Sequence, residues 1–381
     1  METMSRIFNV NADCRPELHY MADLSDKINK IKAMVDAGQY FTINRARQYG
    51  KTTTLQVLGE YLESDYTVIS LDFQMISHAD FEDEHSFAAA FSEEILDRVE
   101  KIPKQIQESL EAFTKRDNRS ITLSVLFKCL IKWCKISEKK IVLIIDEADS
   151  TTNNQVFLDF LSQLRGYYIR RGRTATFQSV ILAGVYDIKN IRRKLRPENE
   201  HRINSPWNIA ADFLVDMSFS VKEISKMLTD YESDYHTGMD IDEIARLLYD
   251  YTSGYPFLVS RICKLMDERI PGDRDFPDRR STWTKKGFLY AVRILLSEKN
   301  TLFESLSGKL VEYPELKEIL YRLLFQGQSI PYDPDDEAID MAILFGFVKK
   351  ENETVVIANR IFDTRLYNMF LALPKMQNLL A

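Results

Sequence analysis

The sequence predicts an α/β fold: a parallel sheet flanked by helices, followed by two further modules. Three observations carry the prediction. In NRARQYGKTTTL, residues 44–55, the tripeptide Gly50-Lys51-Thr52 stands between a short β-rich run, YFTI (40–43), and the helical pattern TTTLQVLGEYLES. In KKIVLIIDEADS (139–150), the five aliphatic residues Ile141 to Ile145 suit a strand buried on both faces of a parallel sheet, and the run ends in Asp146 and Glu147. After about residue 218 strand patterns give way to amphipathic helical ones.

The elements follow in order. Residues 18–37, LHYMADLSDKINKIKAMVDA, have apolar residues at helical spacing, with Gly38 where a helix would stop. TVISLDF (67–73) reads as the strand after the first loop and helix. A mainly helical stretch then runs to about residue 136, broken by KRDNRS at 115–120. SVILAGVYD (179–187) offers another buried strand. Strands alternating with helices imply right-handed crossovers and a ligand site at the strand carboxyl ends, where both motifs fall.

Farther on, SVKEISKMLTDYE, DIDEIARLLYDYTSG and YPFLVSRICKLMDERI read as a helical domain, and PGDRDFPDRRST (271–282) has the content of a linker. PELKEILYRLLFQG and DDEAIDMAILFG are helices. GFVKKENETVVIANRIF reads as a hairpin turned at Lys350 to Glu353, and TRLYNMFLALP as a last helix, a winged-helix order. The expected division is 1–217 for the sheet domain, 218–280 for the helical domain and 281–381 for the winged helix.

A phosphate-binding loop asks for Gly, four free positions and Gly-Lys-[Ser/Thr]; here Arg45 takes the place of the first Gly. Strand, loop and helix in this order, with a buried strand ending in Asp-Glu about a hundred residues later, nevertheless predict the core of a P-loop NTPase. Gly50 lets main-chain N–H groups turn toward phosphate at the positive end of the following helix. Lys51 reaches the β and γ phosphates, and the Thr52 hydroxyl ligates Mg²⁺. Asp146 holds the same ion, and Glu147 polarises the attacking water. Arg45 either lies along the phosphates or faces solvent.

At these residues the chain resembles the bacterial AAA-like ATPases related to the STAND and archaeal-type group. The resemblance rests on FTINRARQYGKTTTL, where the family has an Asn- or Arg-rich loop, a Gln or Arg three residues before Gly-Lys-[Ser/Thr], and no first Gly. It continues in IVLIIDEADS, SVILAGVYD, SPWNIAADFLVDMSF (205–219) and YTSGYPFLVSRIC (251–263), over about residues 15–270. It implies an ATPase core, a helical lid and a winged-helix tail, with ATP and Mg²⁺ as cofactors. Carried over, the nucleotide neighbours are Arg45, Gln48, Tyr49, Gly50, Lys51, Thr52 and Thr53, with Pro256 of a lid Gly-x-Pro that starts at Gly254. Asn208 and Trp207 are further neighbours, unless SPWNIA is an ordinary apolar connector. Gly254-Tyr255-Pro256 also has a plainer reading, a helix-breaking turn.

Composition bounds the remaining readings. The 381 residues suggest two or three domains, and 45% hydrophobic with 28% charged residues gives no reason to invoke disorder. Neither an apolar run of membrane-span length nor a signal-peptide core is present, so a cytoplasmic protein without a membrane partner is expected. Cys14, Cys129, Cys134 and Cys263 form no CxxC pair and read as buried reduced thiols. A net charge of −7 argues against a nucleic-acid coat, yet residues 165–202 hold ten Lys or Arg against three acids, +7, leaving −14 for the rest. Arg165, Arg170, Arg171 or Arg173 could act as an arginine finger. With Lys189, Arg192, Arg193, Lys194, Arg196 and Arg202 they could instead meet DNA or RNA, or simply form a solvated helix face. DDEAIDMAILFG is the candidate recognition helix of the winged helix, and its acids Asp335, Asp336, Glu337 and Asp340 make it a poor phosphate binder and favour an internal relay.

The expected function is therefore a Mg²⁺-dependent ATPase acting as a nucleotide-driven conformational switch. Two alternatives stay open: a non-hydrolysing nucleotide-gated scaffold, and a DNA-associated regulator or mobile-element ATPase. ATP or ADP is the expected ligand, and ATP-dependent self-association, a protein partner and nucleic acid remain open as partners.

Overall fold

The computed structural model describes residues 6–115, 121–148, 154–185 and 207–372. The chain divides into two compact units. A sheet unit comprises Ser25–Asn44 and Thr54–Val215. A C-terminal unit gathers Asp216 onward together with the chain start up to Leu24 and, notably, Arg45–Thr53.

The sheet unit carries α1 (Ser25–Asp36), β1 (Phe41–Asn44), most of α2 (Lys51–Leu62), β2 (Thr67–Asp72), α3 (Glu84–Arg98) and α4 (Lys104–Phe113). Then follow α5 (Leu123–Ile136), β3 (Ile141–Asp146), α6 (Gln155–Ile169) and β4 (Ser179–Gly184). The four strands are parallel in the order β1-β4-β3-β2. Every residue of β3 and β4 is buried, because helices cover both faces of the sheet. The register pairs Asn44 with Gly184 and Asp72 with Asp146, so all four strands end on one edge. A parallel bridge between Phe41 and Ala211 adds an extended segment on the outer side of β1.

Phe73, just past β2, sits at the centre of this core, with Phe81, Phe87, Phe91, Phe157 and Phe160 around it at centroid distances of 5.9 to 6.2 Å. Each such buried ring contributes about 1.5–3 kcal/mol relative to exposure. Asp83 caps α3 by accepting from the His85 and Ser86 amides, and Asn154 caps α6 through Val156 N–H.

The helix expected over 18–37 is shorter, Ser25–Asp36. Residues 18–22 belong instead to the C-terminal unit. There the ring of Tyr20 packs on Phe8 and Tyr231 at 5.0 and 5.2 Å, and its hydroxyl donates to Asp234 at 2.7 Å. Aromatic burial and a charge-assisted hydrogen bond here outweigh helical periodicity.

The C-terminal unit begins its helices with α7 (Val221–Tyr235), opened by a Ser220–Glu223 capping box, and α8 (Ile241–Thr252), capped by Asp240. α9 (Pro256–Lys264) has Pro256 in its first turn and runs into a π-helical turn over Leu265–Arg269. A helical turn, Arg279–Thr282, leads to α10 (Lys285–Ser297), α11 (Thr301–Glu312) and α12 (Pro314–Phe325). The chain closes with β5 (Ile330–Pro331), α13 (Glu337–Leu344), β6 (Val348–Glu351), β7 (Thr354–Ile357) and α14 (Arg360–Leu371). The three short strands form an antiparallel sheet, β5-β7-β6. The β6–β7 hairpin turns at Asn352 and Glu353, whose φ of 46° and 63° fit a two-residue turn.

A buried polar network fixes the middle of this unit. The Tyr231 hydroxyl donates to Asp267 at 2.6 Å and accepts from Trp283 Nε1 at 3.0 Å, while Arg279 Nε donates to Asp267 at 2.8 Å. The N-terminal residues are tied to α7 by Arg6 with Asp234 at 2.8 Å and by Lys226 with Asp23. Among the described residues no helix is long and apolar enough to cross a membrane, and all four cysteines are free.

Candidate phosphate-binding site

β1 ends at Asn44 and α2 begins at Lys51, so six residues make the turn between them. Two of the six have left-handed backbones, Gln48 at φ 57° and Gly50 at φ 75°. Gly50 adopts this freely; Gln48 does not, and must be held there. Lys51, 6% exposed, curls back over the loop, and Nζ donates to the carbonyls of Arg45 at 3.0 Å and Ala46 at 3.1 Å. The loop thus folds around the ammonium that the sequence assigns to phosphate.

The same loop is gripped by the C-terminal unit. A Cβ placed on Gly50 would lie 3.8 Å from Cγ of Pro256, so the expected Gly-x-Pro proline stands one methyl group's width from the glycine. Between Gly254 and Pro256, Tyr255 is buried; its hydroxyl donates to the Arg47 carbonyl, and its ring meets Tyr49 edge-on at 4.6 Å. Gln48 Nε2 donates to Thr301 Oγ1 at 2.9 Å. A Cβ on Gly346 would come within 3.0 Å of Ala46 Cβ. Thr53 Oγ1 accepts from the Cys14 amide at 3.1 Å. Arg45 is largely removed from water: burial lowers its guanidinium pKa, and Tyr49 and Asp216 oppose the shift. Burial, with Asp216 acting in the same direction, pushes Tyr49 up to about 12.

Gly254 both ends a helix and approaches another backbone. Ser253 and Gly254 leave α8 at φ 49° and 72°, and the Gly254 carbonyl accepts from Phe219 N–H at 2.7 Å. This turn delivers Tyr255 and Pro256 to the loop, so a helix-breaking role and a role at the loop coincide in one motif.

The carboxylates belong to the sheet unit. Asp146 is buried at the end of β3 and its Oδ1 accepts from Glu147 N–H at 2.9 Å. Glu147 has φ 50°, a strained backbone for a residue with a Cβ. Beside them in register is Asp72, which accepts from Gln74 N–H at 2.9 Å. Asn208 is exposed, whereas Trp207 is fully buried on Tyr40 with ring centroids 6.1 Å apart. Of the expected site residues, Arg45, Gln48, Tyr49, Gly50, Lys51, Thr52, Thr53 and Pro256 gather in the C-terminal unit, and Asp146, Glu147 and Asn208 lie in the sheet unit.

Tyr255, Thr301 and Gly346 were not legible as neighbours of the loop. Their partners lie some two to three hundred residues away in sequence, and only the Gly-x-Pro around Tyr255 marked that position at all. Arg170, Arg171 and Arg173 are exposed at the carboxyl end of α6, where cations complement the helix dipole, and Arg171 lies over the Tyr168 ring at 3.8 Å. Tyr167 and Tyr168 pack on Phe127 and Tyr40 as a core stripe. Lys189, Arg192, Arg193, Lys194, Arg196 and Arg202 fall outside the described residues.

A parallel sheet whose β1 runs into a Gly-Lys-Thr loop, with an Asp-ending strand two places away, defines the class of P-loop ATPase folds. A profile of the AAA-like domain matches residues 18–272, more than half of the chain, and the chain belongs to this family of AAA-like P-loop ATPases. Among solved structures it is similar to the Walker-type ATPase PABY2304 of Pyrococcus abyssi, with a TM-score of 0.58 at 14% identity, over 94% of this chain and 99% of that one. It is also similar to the ORC2 protein of Aeropyrum pernix in ADPNP–ADP complexes, with a TM-score of 0.52 at 12% identity, over 96% of each chain. At these identities the likeness is one of fold. No curated protein sequence matches the chain.

Proposed function

We propose that the protein is a Mg²⁺-dependent ATPase that works as a nucleotide-driven conformational switch, with residues 218–280 as a lid and 281–381 as a winged-helix-like relay. The observation that carries this reading is the packing of Arg45–Thr53 within the unit formed by the C-terminal helices. Phosphate arriving at Gly50 and Lys51 meets a loop already bonded to Tyr255 and Thr301, so a nucleotide that prefers one arrangement of these contacts shifts the population of the whole unit. Adenine nucleotide is supported by the complexes in which the ORC2 protein was solved.

In this reading Lys51 binds the β and γ phosphates, and Thr52 and Asp146 supply hard oxygen donors for Mg²⁺. Mg²⁺ is commonly held by one or two protein oxygens, with phosphate and water supplying its other ligands. Bound there, it would neutralise charge building up between the β and γ phosphates. Glu147 takes a proton from the attacking water, and Asp146, through its bond to the Glu147 amide, steadies the main chain that presents that carboxylate.

Fluorescent ATP binding and phosphate release test the reading. Glu147→Gln should keep binding and lower turnover by about a hundred-fold or more. Wild-type protein that binds ATP without releasing phosphate would instead favour the nucleotide-gated scaffold. The exposed Arg170, Arg171 and Arg173 motivate the DNA-associated alternative, which requires salt-dependent duplex binding.

A further inference from the structure

Three consecutive loop residues are each held by a different part of the C-terminal unit: Ala46 by Gly346, Arg47 by Tyr255 and Gln48 by Thr301. The third contact stands apart. Gln48 has the left-handed backbone that side chains disfavour, two residues before Gly50, and its amide reaches the hydroxyl of Thr301 in the first turn of α11. The seat is polar and only partly satisfied. Buried Gln48 Oε1 has no hydrogen-bond partner, and neither has buried Nδ2 of Asn300, the residue that caps α11 beside Thr301. An apolar contact would hold the loop with fewer idle polar groups, so stability alone does not account for this pair.

We infer that Thr301 is a positioning residue for nucleotide: through Gln48 it keeps the phosphate loop in the left-handed form that turns its amides toward phosphate. The inference rests on the proposed nucleotide site and adds the residue outside it that tunes affinity. Released from Thr301, Gln48 relaxes toward negative φ and the cradle must be rebuilt on each binding event. α11 thereby becomes a handle on the loop.

The test compares wild type, Thr301→Val, Thr301→Ser and Gln48→Gly, together with the Gln48→Gly/Thr301→Val double variant, read by amide hydrogen exchange over residues 46–51 without nucleotide and by titration with fluorescent ATP. Thr301→Val, which keeps the shape and removes the hydroxyl, should speed exchange in the loop and weaken ATP binding about five-fold, the worth of one hydrogen bond. Thr301→Ser should restore both readouts. In the Gln48→Gly background Thr301→Val should have no further effect, since its partner is gone. Equal exchange in all five proteins, equal weakening by Val and Ser, or additive effects in the double variant overturn the inference. Wild type that binds no nucleotide while Thr301→Val still loosens the loop would sink the proposed function and the tuning of affinity, but not the seat.

Discussion

Gly254 and Phe219 approach so closely that no side chain fits between them: a Cβ on Gly254 would lie 2.0 Å from the Phe219 carbonyl oxygen and 2.8 Å from its nitrogen. Both partners are backbone and cannot step aside. With φ at 72° as well, Gly254→Ala should lose more than about 3 kcal/mol of stability, combining overpacking with backbone strain. Gly50→Ala is the matched control. Its added Cβ meets Pro256 at an ordinary 3.8 Å, so only strain at φ 75° remains, about 1–2 kcal/mol. Urea unfolding of the two variants should separate them clearly.

Lys51 bonds to two carbonyls of its own loop, so its removal should be felt with and without ligand. Lys51→Met should cost about 1–2 kcal/mol in the free protein. It should also abolish the nucleotide-induced rise in melting temperature, which for the wild type at a hundred-fold excess over Kd corresponds to about 2.7 kcal/mol. Paired thermal melts with and without ATP and Mg²⁺ measure both effects.

The Tyr231 hydroxyl is acceptor to Trp283 and donor to Asp267, and all three residues are buried. Tyr231→Phe keeps the ring packing and strips both bonds, leaving the indole N–H without its acceptor. A loss of about 2 kcal/mol is expected, with a shift in Trp283 near-ultraviolet circular dichroism.

Much of this architecture was legible in the sequence, for identifiable reasons. β3 announced itself because a strand covered on both faces cannot alternate, so Ile141 to Ile145 form an unbroken aliphatic run. The hairpin turn came within a residue or two, since Asn352 and Glu353 are polar between two β-rich segments. Strand order was not legible: nothing local in SVILAG says that it inserts between β1 and β3. Nor was the grip on the phosphate loop, because Tyr255 and Thr301 carry no local signature of a partner near residue 47. The helix over 18–24 failed for the same reason, a distant aromatic cluster claiming Tyr20.

Acid should reveal the tie between the N-terminal residues and α7. The hydrogen bond from Tyr20, helped by Arg6, lowers the pKa of Asp234 below its ordinary 3.8. A carboxylate depressed in the folded state stabilises fully above its unfolded value, and the contribution fades as pH falls through the folded value. Wild type should therefore lose stability below about pH 4 more steeply than Asp234→Asn, and the two profiles should run parallel above it. Denaturant melts across that range, with both proteins in the same buffers, decide it.

The two innermost strands present no outward face, and this bears on how the protein can change over time. At the nine aliphatic positions Ile141–Ile145 and Val180–Ala183 a newly introduced charge finds no route to solvent, whereas Lys349, Lys350 and Glu351 already stand exposed on β6. Sequence drift is thus channelled to the C-terminal hairpin and the helix exteriors. Those nine positions can vary only by trading one hydrocarbon shape for another of similar volume.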